Sequence, residues 1–385
     1  MSSVLEYMTW RGDITFQVDR LNEVDNLIFS MLSYLNFGAP KNGISIKELS
    51  KKYFASRGMD DSKLQKEKSY SDMIVMVENL LRKAAKSDRF KDIILTEYIS
   101  KYDEINQSQF CAMCFVIDED NIFVAFRGTD DTILGFKEDF NMSFSTPVFG
   151  QIESAKYLKR IIESNSHKNI YVGGHSKGGN FAVYSVVGLP EKDRERIRRI
   201  FNNDGPGFSK EMIESDAYRD TVKKVSKILP VDSVVGILMY DNEQYSVVEA
   251  IGNNGFIQHN GMNWKVVGKS FVKAKKLSDE SNRIDITLKT WLENLSHEER
   301  VIFVDEFYEI IKNSTNAVRT GDITNKKLKS AIKIIKEMSS LEQERREQLS
   351  SIFSLFLKTD FEMRTKKKKS ILVKNKGRKI RFDRK

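Results

Sequence analysis

Apolar positions recur with two different periods along the chain, and the change of period divides it. Leu21, Val24, Leu27, Ile28, Met31 and Leu32 fall on one face of a helix. A second helix is predicted from Ser71 to about Ala85, with the breakers Gly38, Pro40 and Asn42-Gly43 between the two. The pattern then turns to short apolar runs, Ile93–Ser100, Phe110–Ile117 and Ile122–Phe126, parted by polar turns such as Asp118–Asn121; these read as strands. From Gln151 onward helix and strand alternate. Ile152, Ala155, Leu158 and Ile162 give a helical face, Ile170–Val172 a strand, and Phe181–Val187 part of the next helix. Ile197–Phe201, Val225–Leu229 and Tyr245–Ile251 are further strand candidates. Such alternation predicts a mostly parallel sheet with helices on both faces. No proline occurs after Pro230, so the Lys-, Glu- and Leu-rich remainder reads as helical, over 281–295, 298–313 and 326 to about 358. The expected organisation is a helical N-terminal region (1–92), an α/β core (93–275), a helical C-terminal region (276–363) and a basic, disordered tail (364–385).

Composition narrows the class. With 40% hydrophobic and 30% charged residues over 385 positions, a buried core is expected and wholesale disorder is not. No apolar stretch reaches the roughly 18 residues of a membrane span, and the N-terminal segment lacks a signal-peptide layout, so a cytoplasmic protein is expected. The net charge of +9 belongs to one end: residues 364–385 carry +11 and the rest −2. Such a tail is either a solvated end or a contact for an anionic membrane or nucleic acid, which leaves peripheral membrane association open. Cys111 and Cys114, the only cysteines, lie three apart in a predicted strand. Their side chains therefore point to opposite faces and form neither a metal clamp nor a redox pair; core packing is the expectation. No metal or organic cofactor is implied.

The chemistry concentrates in Ile170-Tyr-Val-Gly-Gly-His-Ser-Lys-Gly-Gly-Asn180. Gly174-His-Ser-Lys-Gly178 fits a G-x-S-x-G nucleophile elbow, with a strand before it and a helix after it. The serine must occupy a sharp, strained turn, and the flanking glycines remove the Cβ atoms that would clash there. Ser176 is thus the expected nucleophile. Of the four histidines, His175 adjoins the serine and is expected to point away into packing. His167 precedes the nucleophile strand, at the wrong end of the sheet, and His297 sits in the first turn of a helix capped by Ser296. His259, in a loop after a predicted strand, is left as the base, in the order Ser, acid, His. Asp232, after the strand Val225–Leu229, is the expected acid, with Asp204 the alternative. The oxyanion donors are expected to be the Lys177 amide and Thr129, at the end of Phe126-Arg-Gly-Thr129, with Arg127 anchoring that loop on a carboxylate such as Asp139.

Phe126-Arg-Gly-Thr129, followed by Gly135-Phe-Lys-Glu-Asp139, resembles the A-F-R-G-T…W…D signature of class-three lipases, and the elbow resembles their G-H-S-L-G-G. With Trp10-Arg-Gly-Asp, Asn22-Glu-Val-Asp-Asn, Asp204-Gly-Pro-Gly-Phe, Pro230-x-x-Ser-x-Val-Gly and Gln258-His…Trp264, the chain from about 5 to 325 resembles a bacterial family of unknown function within the α/β-hydrolases, labelled Mbeg-like. The resemblance implies a lipase-like α/β-hydrolase fold with helical additions at both ends, and carries over Ser176 and His259. The family's Pro-x-Ser-Ser pattern has Asp232 at its third place, a departure. The function expected is a serine hydrolase cleaving a carboxylic ester or thioester; the resemblance, with apolar residues of Thr132–Phe149 as a lid, implies an acyl lipid. The alternative is a catalytically silent hydrolase fold that binds a partner, membrane surface or nucleic acid. It would do so through the stripe Leu349, Ile352, Phe353, Phe356 and Leu357 and the tail that follows.

Overall fold

The computed structural model describes residues 2–38, 43–64, 72–103, 108–129, 142, 147–303, 305–306, 342–343, 345–352 and 354–361. It comprises two compact units, Met1–Ser278 and Asp279–Lys385. In the first, α1 (Val4–Trp10), α2 (Glu23–Leu32), β1 (Ile44–Ser45), α3 (Ile46–Ala55) and α4 (Met73–Ala84) precede β2 (Ile94–Asp103), β3 (Ser108–Val116) and β4 (Asn121–Phe126). Then come α5 (Phe149–Ser164), β5 (Asn169–His175), α6 (Lys177–Val187), β6 (Ile197–Asn203), β7 (Val225–Pro230), β8 (Tyr245–Val248) and the short α7 (Gly255–His259). Among the described residues these eight strands form one sheet, in sequence order. Pairing is antiparallel from β1 to β4 and parallel from β4 to β8.

That order decides which face each helix covers. Parallel crossovers are right-handed, so a succession running one way across the sheet puts its helices on a single face. Tyr157, Leu158 and Ile161 of α5 and Phe181, Val183 and Val186 of α6 accordingly share one core with Ile122, Val124, Ile170 and Val172. The opposite face would be bare, and the N-terminal helices fill it: Val24, Leu27, Phe29, Leu80 and Leu81 join Phe115, Phe123, Ala125 and Phe201 in the second core. Phe29 of α2 lies over the sheet centre, 4.7 Å from Phe115 and 5.2 Å from Phe123 between ring centroids. Burying one such ring stabilises by about 1.5–3 kcal/mol. The N-terminal helices α1–α4 are therefore a layer of the same compact unit as the sheet. Cys111 falls in this second core and Cys114 in the first, on opposite faces as the strand period requires. Burial pushes the Cys114 thiol up to about 12.

A buried ion pair fixes α2. Asn22 caps it by accepting from the Val24 and Asp25 amides, and the Asp25 carboxylate accepts from the Asn22 N–H. Arg89 donates to the Asp25 carboxylate and to the carbonyls of Ile14, Asp19 and Arg20, while Tyr7 donates to Asp25 at 2.8 Å. Both members of the pair are wholly buried.

In the second unit, α8 (Asp279–Glu293) carries Trp291, edge-on to Phe303 and Phe356 at 5.2 and 5.3 Å, with its ring N–H on the Ile352 carbonyl. Leu349 and Ile352 are buried, whereas Leu357 and Phe361 are 66% and 67% exposed. Among the described residues no helix is long and apolar enough to cross a membrane. The expected strand ending at Ile251 stops at Val248, with Ala250 in an isolated bridge to Trp264. The tail 364–385, the expected helix starting at 326 in its first part, and most of the Thr132–Phe149 segment lie outside the described residues.

Candidate active site

β5 ends at His175 and α6 begins at Lys177, so Ser176 makes the whole turn between them, at φ 58° and ψ −134°. Such a backbone costs a residue with a Cβ on the order of 1–3 kcal/mol and persists only where its surroundings over-determine it. The glycines provide for that. A Cβ on Gly174 would stand 2.2 Å from the Gly178 backbone, and one on Gly178 would stand 2.2 Å from the Phe126 carbonyl oxygen. The Ser176 N–H donates to the Asn203 carbonyl at 2.9 Å, tying the elbow to the end of β6.

The next residue on β6's side is Asp204, fully buried and at φ 51°. One carboxylate oxygen meets His259 Nδ1 at 2.6 Å. The other accepts from Ser233 Oγ at 2.5 Å and from the Gly236 N–H at 3.2 Å. The structure thus brings Asp204, the alternative, to His259, and not Asp232. Asp232 accepts from the Gln258 side-chain amide at 2.7 Å and its own N–H donates back to that side chain at 2.9 Å. The loop after β7 reaches Asp204 through Ser233 and Gly236. His259 closes α7, whose first turn is capped by Asn254. Among the described residues no hydrogen bond joins Ser176 Oγ to His259; such bonds are often long in substrate-free sites.

His175 is not merely packed. Its ring is buried, with Nδ1 2.8 Å from the Tyr34 hydroxyl and Nε2 2.6 Å from the His259 carbonyl oxygen. Burial, and then the neighbouring His259, push its pKa down to about 3, so it is neutral at ordinary pH. Behind Asp204 lies a second buried polar group that sequence reasoning missed. Asn202 accepts from the Gly205 N–H at 2.9 Å and donates to Glu243 at 2.9 Å. Lys227 pairs with Asp241 and stands 4.0 Å from Glu243. Burial raises the Glu243 carboxyl to about 7 against the pull of Lys227. Two asparagines ending a buried strand were the available signal, since unbonded amides are costly there.

The remaining expectations can be placed. Gly128 and Thr129 follow β4 beside the elbow: a Cβ on Gly128 would lie 3.1 Å from Ser176 Cβ. The Lys177 amide opens α6 directly after Ser176. His167 is exposed ahead of β5, and His297 is exposed in the second unit, in a turn where Glu299 N–H donates to Ser296. Asp139, the suggested partner of Arg127, lies outside the described residues. Among the described residues no group of three or more His, Cys, Asp or Glu is placed to hold a metal.

A mostly parallel sheet with its serine on a strand-to-helix elbow, and an aspartate and histidine on later loops at the same edge, is the α/β-hydrolase arrangement. The chain is similar to solved lipases at low identity. Lipase II from Rhizopus niveus matches at 18% identity and a TM-score of 0.34, covering 44% of this chain and 70% of that one. M37 lipase matches at 15% and 0.34, over 55% and 67%. A triacylglycerol lipase from Penicillium expansum matches at 14% and 0.32, over 49% and 78%. No curated protein sequence matches the chain. The Mbeg1-like family model matches residues 84–309, more than half of the sequence, and the chain belongs to that family.

Proposed function

We propose that the protein is a serine hydrolase that cleaves a carboxylic ester or thioester, with an acyl lipid as the substrate class. The observation that carries this reading is the strained Ser176 elbow, whose preceding His175 ring lies 4.7 Å from the ring of His259, itself bonded to a buried aspartate at 2.6 Å. Ser176 Oγ attacks the carbonyl while His259 Nε2 takes its proton. The leaving alcohol or thiol departs with that proton, and water then attacks the acyl-serine by the same route reversed. Asp204 keeps the other proton on Nδ1, so Nε2 is free to act as base. The Lys177 amide and Thr129 hold the oxyanion. A scaffold that only binds would need neither the strained turn nor the His–Asp contact. The test is hydrolysis of p-nitrophenyl acyl esters of increasing chain length, and of matching thioesters. Turnover that disappears in Ser176→Ala supports the reading; turnover by neither class, in folded protein, overturns it.

We also propose that the C-terminal end contacts an anionic membrane. Leu357 and Phe361, one helical turn apart and both exposed, immediately precede the basic sequence from Arg364. Apolar side chains next to a run of lysines suit the boundary between headgroups and acyl chains.

A further inference from the structure

Helix α2 is buried from Val24 to Leu32 and mostly apolar there, yet beyond the paired Asp25 it carries Asn26 and Ser30, and Tyr34 follows just past its end. These three recur every four residues and therefore line one side of the helix. A polar row inside a core is costly unless each member is bonded, and here each is bonded to the active-site edge of the sheet. Asn26 exchanges two hydrogen bonds of 3.0 Å with the Asn203 side chain, which also donates to the Gly174 carbonyl at 3.0 Å. Ser30 Oγ accepts from the same Asn203 amide at 3.3 Å. The Tyr34 hydroxyl meets His175 Nδ1, and a Cβ on Gly128 would lie only 2.2 Å from that hydroxyl.

The residues grasped, Gly174, His175 and Asn203, directly precede or lie next to Ser176 and Asp204. The row also reaches the base. The His259 carbonyl can only accept, so His175 must carry its proton on Nε2 and donate to it. The ring is neutral, which makes Nδ1 an acceptor and the Tyr34 hydroxyl its donor. One directed chain thus runs from Tyr34 through His175 to the backbone of His259.

We propose that the Asn26–Ser30–Tyr34 row of α2, acting through Asn203 and His175, is the element that positions Ser176, Asp204 and His259 relative to one another. These are positioning residues: they touch the residues that bear or adjoin the triad and not the reacting atoms. The row lies ahead of the family match, which begins at residue 84. The N-terminal layer therefore completes the site as well as the core. The inference rests on the serine-hydrolase reading for its kinetic consequence but not for its geometry.

The test uses the full chain in two arms. In the first, the histidines are labelled with nitrogen-15 and His175 is identified by its loss in His175→Gln. The expected result is a single neutral tautomer with the proton on Nε2, kept in Tyr34→Phe by the His259 carbonyl, with the Nδ1 resonance moved downfield there as it loses its hydroxyl donor. In the second arm, a fluorophosphonate labels Ser176. Small displacements of catalytic groups cost up to about 100-fold in rate. Tyr34→Phe and Asn26→Ala are accordingly expected to label on the order of 10- to 100-fold more slowly, with kcat for an ester falling and KM unchanged. Val24→Ala, which weakens the same helix away from the row, is expected to label at the wild-type rate. A proton on Nδ1 of His175, or wild-type labelling by Tyr34→Phe, overturns the proposal. So does an equal slowing by Val24→Ala, which would reduce the row to ordinary structure. Failure of the wild type to label removes the serine-hydrolase reading, and the tautomer arm still decides the geometry.

Discussion

Replacing Asp204 by Asn separates the two candidate acids. Asp204 sits at φ 51°, a conformation that Asn tolerates well, so the backbone should be kept. Its side chain faces two donors on one oxygen, Ser233 Oγ and Gly236 N–H, and the His259 ring on the other. An asparagine will turn its carbonyl oxygen to the two donors, which leaves its NH2 pointing at His259 Nδ1. The ring must then accept there and carry its proton on Nε2, so it can no longer take one from Ser176. A carboxylate-to-amide change of this kind costs about 10⁴ in kcat, or about 5.5 kcal/mol of transition-state stabilisation. Asp232→Asn behaves differently. Its carboxylate accepts one 2.7 Å bond from Gln258, which an asparagine oxygen also accepts. A single replaceable bond is worth about 1 kcal/mol, so a loss of no more than about fivefold is expected. The assay is kcat on a soluble activated ester, with circular dichroism and thermal melting to certify folding. Equal losses in the two variants, or a larger loss at Asp232, would refute the assignment of the acid.

Arg89→Ala should destabilise the first unit by about 3–5 kcal/mol, because it strands the Asp25 carboxylate without charge compensation; urea unfolding measures this. His175 is neutral when folded, its pKa pushed down to about 3 from 6.5, so only the unfolded chain gains a proton as pH falls below 6.5. Its stabilising contribution is whole above that pH and declines towards pH 3. Between pH 7 and 5 the wild type should lose about 2 kcal/mol that His175→Gln does not. Removing residues 364–385 should leave turnover of a short ester unchanged. It should weaken binding to phosphatidylserine vesicles by about 1 kcal/mol for each basic residue near the surface, an effect that salt reduces. Retained vesicle binding with lost nucleic-acid binding would redirect the contact.

Much of this architecture was legible in local pattern. The strand runs, the helix over residues 21–32 and the elbow depend on spacing along the chain, and spacing survives folding. Which carboxylate meets His259 was not legible. Asp204, in Asn-Asn-Asp-Gly-Pro-Gly, looks like a residue that shapes a turn, and its left-handed backbone does shape one. What its carboxylate meets depends on Ser233 and Gly236, some thirty residues later, in a loop whose own Asp232 has the commoner triad placement. The Pro-x-Ser-Ser resemblance marks Asp232 as a departure, and Ser233, the pattern's last residue, donates to Asp204. The polar row of α2 was hidden for a similar reason. Reading the helix for its apolar positions passes over Asn26 and Ser30, although an amide and a hydroxyl at spacing four in a buried helix announce a partner elsewhere. His175 illustrates the same limit: burial was foreseeable, but its two hydrogen-bond partners are far away in sequence.

Whether Ser176 is an activated nucleophile is decided by the mass of the intact protein after exposure to a fluorophosphonate at neutral pH, followed by peptide mapping. A single adduct on Ser176 is predicted, formed in the wild type, absent in Ser176→Ala and strongly slowed in His259→Ala and Asp204→Asn. No adduct on folded wild-type protein, or an adduct that persists unchanged in Ser176→Ala, would contradict it.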